Sequence, residues 1–142
     1  MFASRDDQRR ISPRIPVESF CSELHGDQLR HALVVDLSGD GLRLCRPLGG
    51  PRTRTLQLEL EIPEMDEIVW ATGEVCFDEL RPAPRSAMAP TGILRTTGVR
   101  LVSAASRHRR LLRDFVFDTW MARRRAEDIS GYLQGAACYM RG

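Results

Sequence analysis

From Ile15 to Val102 the apolar side chains recur mostly at alternate positions, and only beyond Ser103 does their spacing become three and four. A period of two belongs to a strand with one buried face, and a period near 3.6 to a helix. The clearest strand is Thr55 to Ile62, with Leu56, Leu58, Leu60 and Ile62 on one face. Before it stand Ile15–Cys21, with Pro16 near its start, then His31–Asp36 and Leu42–Cys45, the last two joined by a Gly- and Asp-rich hairpin. After it come Ile68–Ala71 and Val75–Phe77, which read as one long bent strand or a hairpin, and then Arg95–Val102. Residues 81–92 hold Pro82, Pro84 and Pro90 and are expected to form an exposed loop.

With no helix between strands, the sheet must be mainly antiparallel. A six-stranded antiparallel sheet with one apolar face closes readily into a small β-barrel. Ser103 or Ser106 can cap the helix that follows, and Leu111, Leu112, Phe115, Val116, Thr119 and Trp120 give it one face to lay on the sheet. That helix is expected to plug or flank one end of the barrel. Gly131 and Gly135 make any helix beyond it weak. The expected organisation is therefore an arginine-rich arm over 1–14, a barrel with its C-terminal helix over 15–122, and a tail over 123–142.

A chain of 142 residues has room for one core of this kind and needs no metal or disulfide to hold it. Cys21, Cys45, Cys76 and Cys138 form no close pair, and with His25, His31 and His108 scattered no zinc site is expected. No apolar run reaches the length of a membrane span. Met1 to Arg10 is charged with no apolar stretch behind it, so no secretory signal is expected and the expected compartment is the cytoplasm. Catalysis is not expected either: there is no nucleophile–base grouping, H-E-x-x-H or glycine-rich phosphate loop.

All 21 basic residues are arginine. Genome composition accounts for that in part, so position must select the arginines that matter. Arg9, Arg10 and Arg14 sit in the polar, proline-broken arm just before the first strand. Asp36-x-Ser38-x-x-Gly41 lies at the hairpin of the second and third strands. Closely spaced guanidinium groups suit phosphates, and the same fork matches O6 and N7 of guanine. Asp36 would accept from the N1 and N2 donors of guanine, Ser38 adds a hydroxyl, and Gly41 lets a ligand come close to the backbone. Each half also has a plain structural reading, as a solvated arm and as a hairpin turn. Together they match a guanine nucleotide bearing phosphates.

At these residues the sequence resembles the PilZ family, whose signature is R-x-x-x-R followed by (D/N)-x-S-x-x-G. Here the two motifs are Arg10-Ile11-Ser12-Pro13-Arg14 and Asp36-Leu37-Ser38-Gly39-Asp40-Gly41, without departure. The resemblance spans roughly residues 9 to 122 and leaves the tail outside it. It implies a PilZ-type barrel that binds cyclic di-GMP on its outer wall, with no other cofactor. Arg10 and Arg14 would meet phosphates and guanine faces, and Asp36 and Ser38 a guanine edge. Arg9 would go with two stacked ligand molecules rather than one. Trp70 is expected in the core rather than as a stacking surface, and Arg43 and Arg100 on solvated faces.

Two other readings stay open. One is a degenerate adaptor of the same fold that acts on a protein partner without nucleotide, through the tail and Arg123–Arg125. The other is a nucleic-acid binder using the helix arginines Arg107, Arg109, Arg110, Arg113 and Arg123–Arg125. A solvated helix face offset by Asp114, Asp118, Glu127 and Asp128 is the plainer account of those charges. No nucleic acid or membrane partner is therefore expected, and the downstream protein is not identified.

Overall fold

The computed structural model describes residues 13–50 and 52–140, with side chains as far as Gly131. Six strands follow one another: β1 (Arg14–His25), β2 (Gln28–Ser38), β3 (Gly41–Arg46), β4 (Thr55–Glu61), β5 (Ile68–Pro82) and β6 (Ile93–Ala104). One helix, α1 (Ser106–Met140), completes the order. The strands form a closed antiparallel barrel in the order β1-β2-β3-β6-β5-β4. Closure removes the free edges that an open sheet would expose.

The period-two pattern is what fills the barrel. Ile15, Val17 and Cys21 of β1, Leu42 and Leu44 of β3, and Leu56, Leu58 and Leu60 of β4 all point inward and are buried. Leu112, Phe115 and Val116 of α1 join the same cluster, with Leu111 and Trp120 packed against it. The helix therefore closes the end of the barrel where β1 and β3 begin and β2 ends. The other end is sealed differently. Glu23, Arg46, Arg95 and Thr97 are buried there, and Asp78 joins them from β5. Arg46 donates from Nε and Nη2 to the two oxygens of Glu23 at 3.0 and 2.7 Å. Arg95 grips Asp78 in the same two-pronged way, at 3.0 and 2.7 Å. Thr97 links the pairs by donating to Asp78 at 2.9 Å.

Of the two arrangements expected around Trp70 and Phe77, the structure has the single long strand, of 15 residues and bent by register shifts at Thr72/Gly73 and Val75/Phe77. Two features differ from the sequence expectation. Trp70 is not core: it points out of the barrel and is 52% exposed, because Val69 and Ala71 take the inward positions. The helix does not weaken at Gly131 but runs 35 residues to Met140, about 52 Å at 1.5 Å per residue. Among the described residues no helix is long and apolar enough to cross a membrane, and no cluster of side chains is suited to a metal ion.

Candidate functional site

Around the β2–β3 hairpin the outer wall of the barrel carries a cleft of about 300 Å³. Arg14, Ser38, Asp40, Gly41, Phe77 and Arg100 are among the residues lining it, with Gly98 on its floor. Four register pairings set a row of residues beside this cleft, sharing Gly98 and Phe77 with its lining. Pro16 faces Asp36, Asp36 faces Arg43, Arg43 faces Gly98, and Gly98 faces Phe77. They form one outward row across β1, β2, β3, β6 and β5. Register shifts lie beside three members of the row, at Pro16/Ser19, Val34/Asp36 and Val75/Phe77. Bulges re-aim the side chains next to them, and here they turn the row out of the regular pleat.

Glycine makes room in that row. A Cβ at position 98 would collide with the Phe77 ring, so the ring lies across the space that Gly98 leaves. There it meets the Arg43 guanidinium, whose Cζ is 5.8 Å from the ring centroid. Asp36 is the polar end of the row. Its Oδ2 is 3.6 Å from Nη1 of Arg14, a loose ion pair with the arginine side chain half exposed. Oδ1 of Asp36 and Nε of Arg43 are both buried, and neither has a hydrogen-bond partner among the described residues. Leaving buried polar atoms unsatisfied costs about 1–3 kcal/mol each, so these two atoms are bonding capacity that the described residues leave unused.

The expected site residues divide into three groups. Arg9 and Arg10 lie outside the described residues. Arg14 lines the cleft and Asp36 stands just behind it, both with bonding capacity to spare. Ser38 and Gly41 line it as well, but both have work inside the protein. The Ser38 hydroxyl is buried, donates to the Gly41 carbonyl at 3.1 Å and accepts from the Gly41 amide at 3.0 Å. A Cβ on Gly41 would stand 2.7 Å from the Val99 carbonyl oxygen, so the close approach this glycine permits is that of β3 to β6. Arg100 is exposed, as expected, on the cleft wall and paired with Glu74 at 3.1 Å, whereas Arg43, expected on a solvated face too, is half-buried in the row with its Nε enclosed. Phe77 was not singled out in the sequence. An aromatic facing a glycine across two strands was the signal, and it is readable only once the register is known.

A family model for the PilZ domain matches residues 8–118. The chain belongs to the PilZ domain family. That family is one of cyclic di-GMP receptors and adaptors, ligand-binding rather than catalytic in kind. Among solved structures, the PilZ domain of YcgR from Escherichia coli with c-di-GMP is similar at 18% identity and a TM-score of 0.63. The match covers 84% of this chain and 98% of that one. The Bacillus subtilis inhibitor of motility, MotI/DgrA, shares 12% identity at a TM-score of 0.63, over 87% of this chain and 54% of that one. YcgR of Escherichia coli in complex with c-di-GMP gives 18% and 0.60, over 85% and 50%. This PilZ chain thus spans about half the length of MotI and of YcgR, and at these identities the likeness is one of fold. No curated protein matches it in sequence.

Proposed function

We propose that this PilZ protein is a cyclic di-GMP receptor that binds its ligand in the cleft beside Arg14 and the β2–β3 hairpin. The observation that carries the reading is Asp36: a carboxylate beside the cleft, reached by the cleft residue Arg14, with one oxygen lightly held by that arginine and the other without a hydrogen-bond partner among the described residues. A pair this long, with the arginine half exposed, contributes little, so Arg14 exchanges Asp36 for a ligand phosphate at small cost. Asp36 then accepts from a guanine edge, and Arg10 and Arg9 close over the phosphates from the arm. The test is titration calorimetry of cyclic di-GMP into the protein and into Arg10→Ala, Arg14→Ala and Asp36→Ala. The expected dissociation constant is micromolar or tighter, about −8 kcal/mol, and weaker by at least about tenfold in each variant. The stoichiometry tells one ligand from two. No binding to a folded protein would end the receptor reading.

One observation favours the adaptor reading as its rival. Ser38 and Gly41 have structural reasons to be present without any ligand, so half of the hairpin motif would persist in a chain that had lost nucleotide binding. The calorimetry decides between the two. Nothing comparable favours nucleic acid. Arg107 pairs with Glu67 and Arg113 with Asp40, Arg109 bonds the Val102 carbonyl, and Arg124 stacks on Trp120.

As a receptor the protein would signal through α1. Arg113 approaches Asp40 in the hairpin at 3.6 Å, and Arg123 donates to the Pro16 carbonyl at 2.6 Å, at the root of the arm. Both flanks of the ligand cleft are thereby tied to one helix, which runs on past the barrel with Ile129 exposed. Ligand that fixes the arm strains or relaxes these two ties, and a downstream protein would read the projecting helix. The arm must then change state on binding. Hydrogen exchange should show residues 5–14 gaining protection at saturating cyclic di-GMP. Unchanged exchange there, with ligand bound, removes the switch and leaves a receptor without it.

A further inference from the structure

Arg43 has no part in the motifs that point to the ligand, yet it holds the middle of the outward row. Its Nε is a buried donor without a partner among the described residues, and Asp36, paired with it across the strands, has in Oδ1 a buried acceptor without one. The two residues face each other on neighbouring strands, which stand about 4.8 Å apart. They do not satisfy each other, because the Arg43 guanidinium is drawn aside onto the Phe77 ring. Arg14 reaches Asp36 from two residues before the row, and the row itself then presents an acceptor, a donor and an aromatic face.

We propose that Arg43 is the residue that selects guanine over adenine in this cleft, working with Asp36 on the Watson–Crick edge of the base. This rests on the receptor reading above. The order of groups is what discriminates. With phosphate and ribose held at Arg14, the N2 and N1 donors of guanine lie nearer the sugar and come to Asp36. O6 lies farther out and comes to Arg43. Adenine in the same pose brings C2–H and the N1 acceptor to the carboxylate and its N6 donors to the guanidinium. Both contacts are then mismatched, and each leaves a buried polar group unsatisfied. As Arg43 swings to O6 it vacates the Phe77 ring, whose face becomes free to stack on a base.

The test compares cyclic di-GMP with cyclic di-AMP, which has the same phosphate ring and the opposite base edge. Both are titrated into the wild type, Arg43→Met and Arg43→Lys, with the thermal midpoint of each as a check of folding. Methionine keeps an apolar stem over Phe77 and removes the donor; lysine restores one donor. The wild type is expected to prefer cyclic di-GMP. Arg43→Met should weaken cyclic di-GMP by about tenfold or more, on the scale of one good base contact, while leaving cyclic di-AMP unchanged or improved. Arg43→Lys should recover part of the preference. If folded Arg43→Met keeps the wild-type ratio of the two affinities, the assignment is wrong although the receptor reading stands. If the wild type binds neither nucleotide, both fall together.

Discussion

Glu23→Ala is expected to cost the barrel about 3–5 kcal/mol, seen as a lower urea midpoint at unchanged slope. The carboxylate is 1% exposed, at the barrel end that no helix covers. It receives both Nε and Nη2 of Arg46, itself 2% exposed. Removing it takes away the two-pronged acceptor and leaves the guanidinium in the interior, with Asp78 3.9 Å away and already engaged by Arg95. A buried pair adds little over an apolar replacement, whereas breaking it by removing one partner is expensive. Glu23→Leu together with Arg46→Met should therefore be far milder than either change alone. A Glu23→Ala protein within about 1 kcal/mol of wild type would show that water enters this end and that the ionic seal is not dry.

The same cluster sets the acid side of stability. Hydrogen bonds from the Arg95 guanidinium, helped by Thr97, hold the Asp78 carboxyl below its ordinary range against the opposing effect of burial. A carboxylate lowered on folding contributes stability that is present above its unfolded pKa, about 3.9. That contribution is lost as the pH falls through the lower folded value. Asp78→Asn should thus start less stable at neutral pH and lose less than wild type below about pH 4.

Little of this cluster was legible in the sequence. Charged residues on strands read as outward, and Glu23 lies beyond the stretch whose alternation marks β1. Only the register, which sets Arg46 opposite Arg95 and Thr97 opposite Asp78, shows that they share the interior. The strands themselves were readable because Leu56, Leu58 and Leu60 and their counterparts obey a period of two that no helix tolerates. Trp70 was misplaced for a related reason: apolar neighbours on both sides hide which parity faces inward, and Val69 and Ala71 took that face. The helix beyond Ala122 was underrated because Gly131 lowers propensity, and propensity is a weak guide within a long helix. At the cleft, the motifs brought Arg14, Asp36, Ser38 and Gly41 into view from the sequence. Phe77 was not in view, and Arg43 was in view only as a solvated side chain, because bulges leave no local mark and the row exists only through cross-strand pairing.

Gly41 is where the sequence reading and the structure make opposite forecasts. The sequence assigns it to a ligand's close approach; the barrel gives it a role of its own. Its extended partner is Arg100 on β6, and a Cβ would meet the Val99 carbonyl oxygen at 2.7 Å. That neighbour is backbone inside a ladder, so no side-chain rotation relieves the contact. The same residue carries two of the three hydrogen bonds that fasten the Ser38 hydroxyl across the hairpin, the Asp40 amide giving the third. Gly41→Ala must therefore push β3 from β6 and loosen the turn at once. The expected cost is about 1–3 kcal/mol, the usual scale of overpacking, measured as a fall in the urea midpoint without ligand. Cyclic di-GMP affinity should then weaken only as far as the displaced hairpin moves Asp36. A Gly41→Ala protein as stable as wild type but unable to bind would mean that β3 yields freely, and that the glycine is kept for the ligand after all.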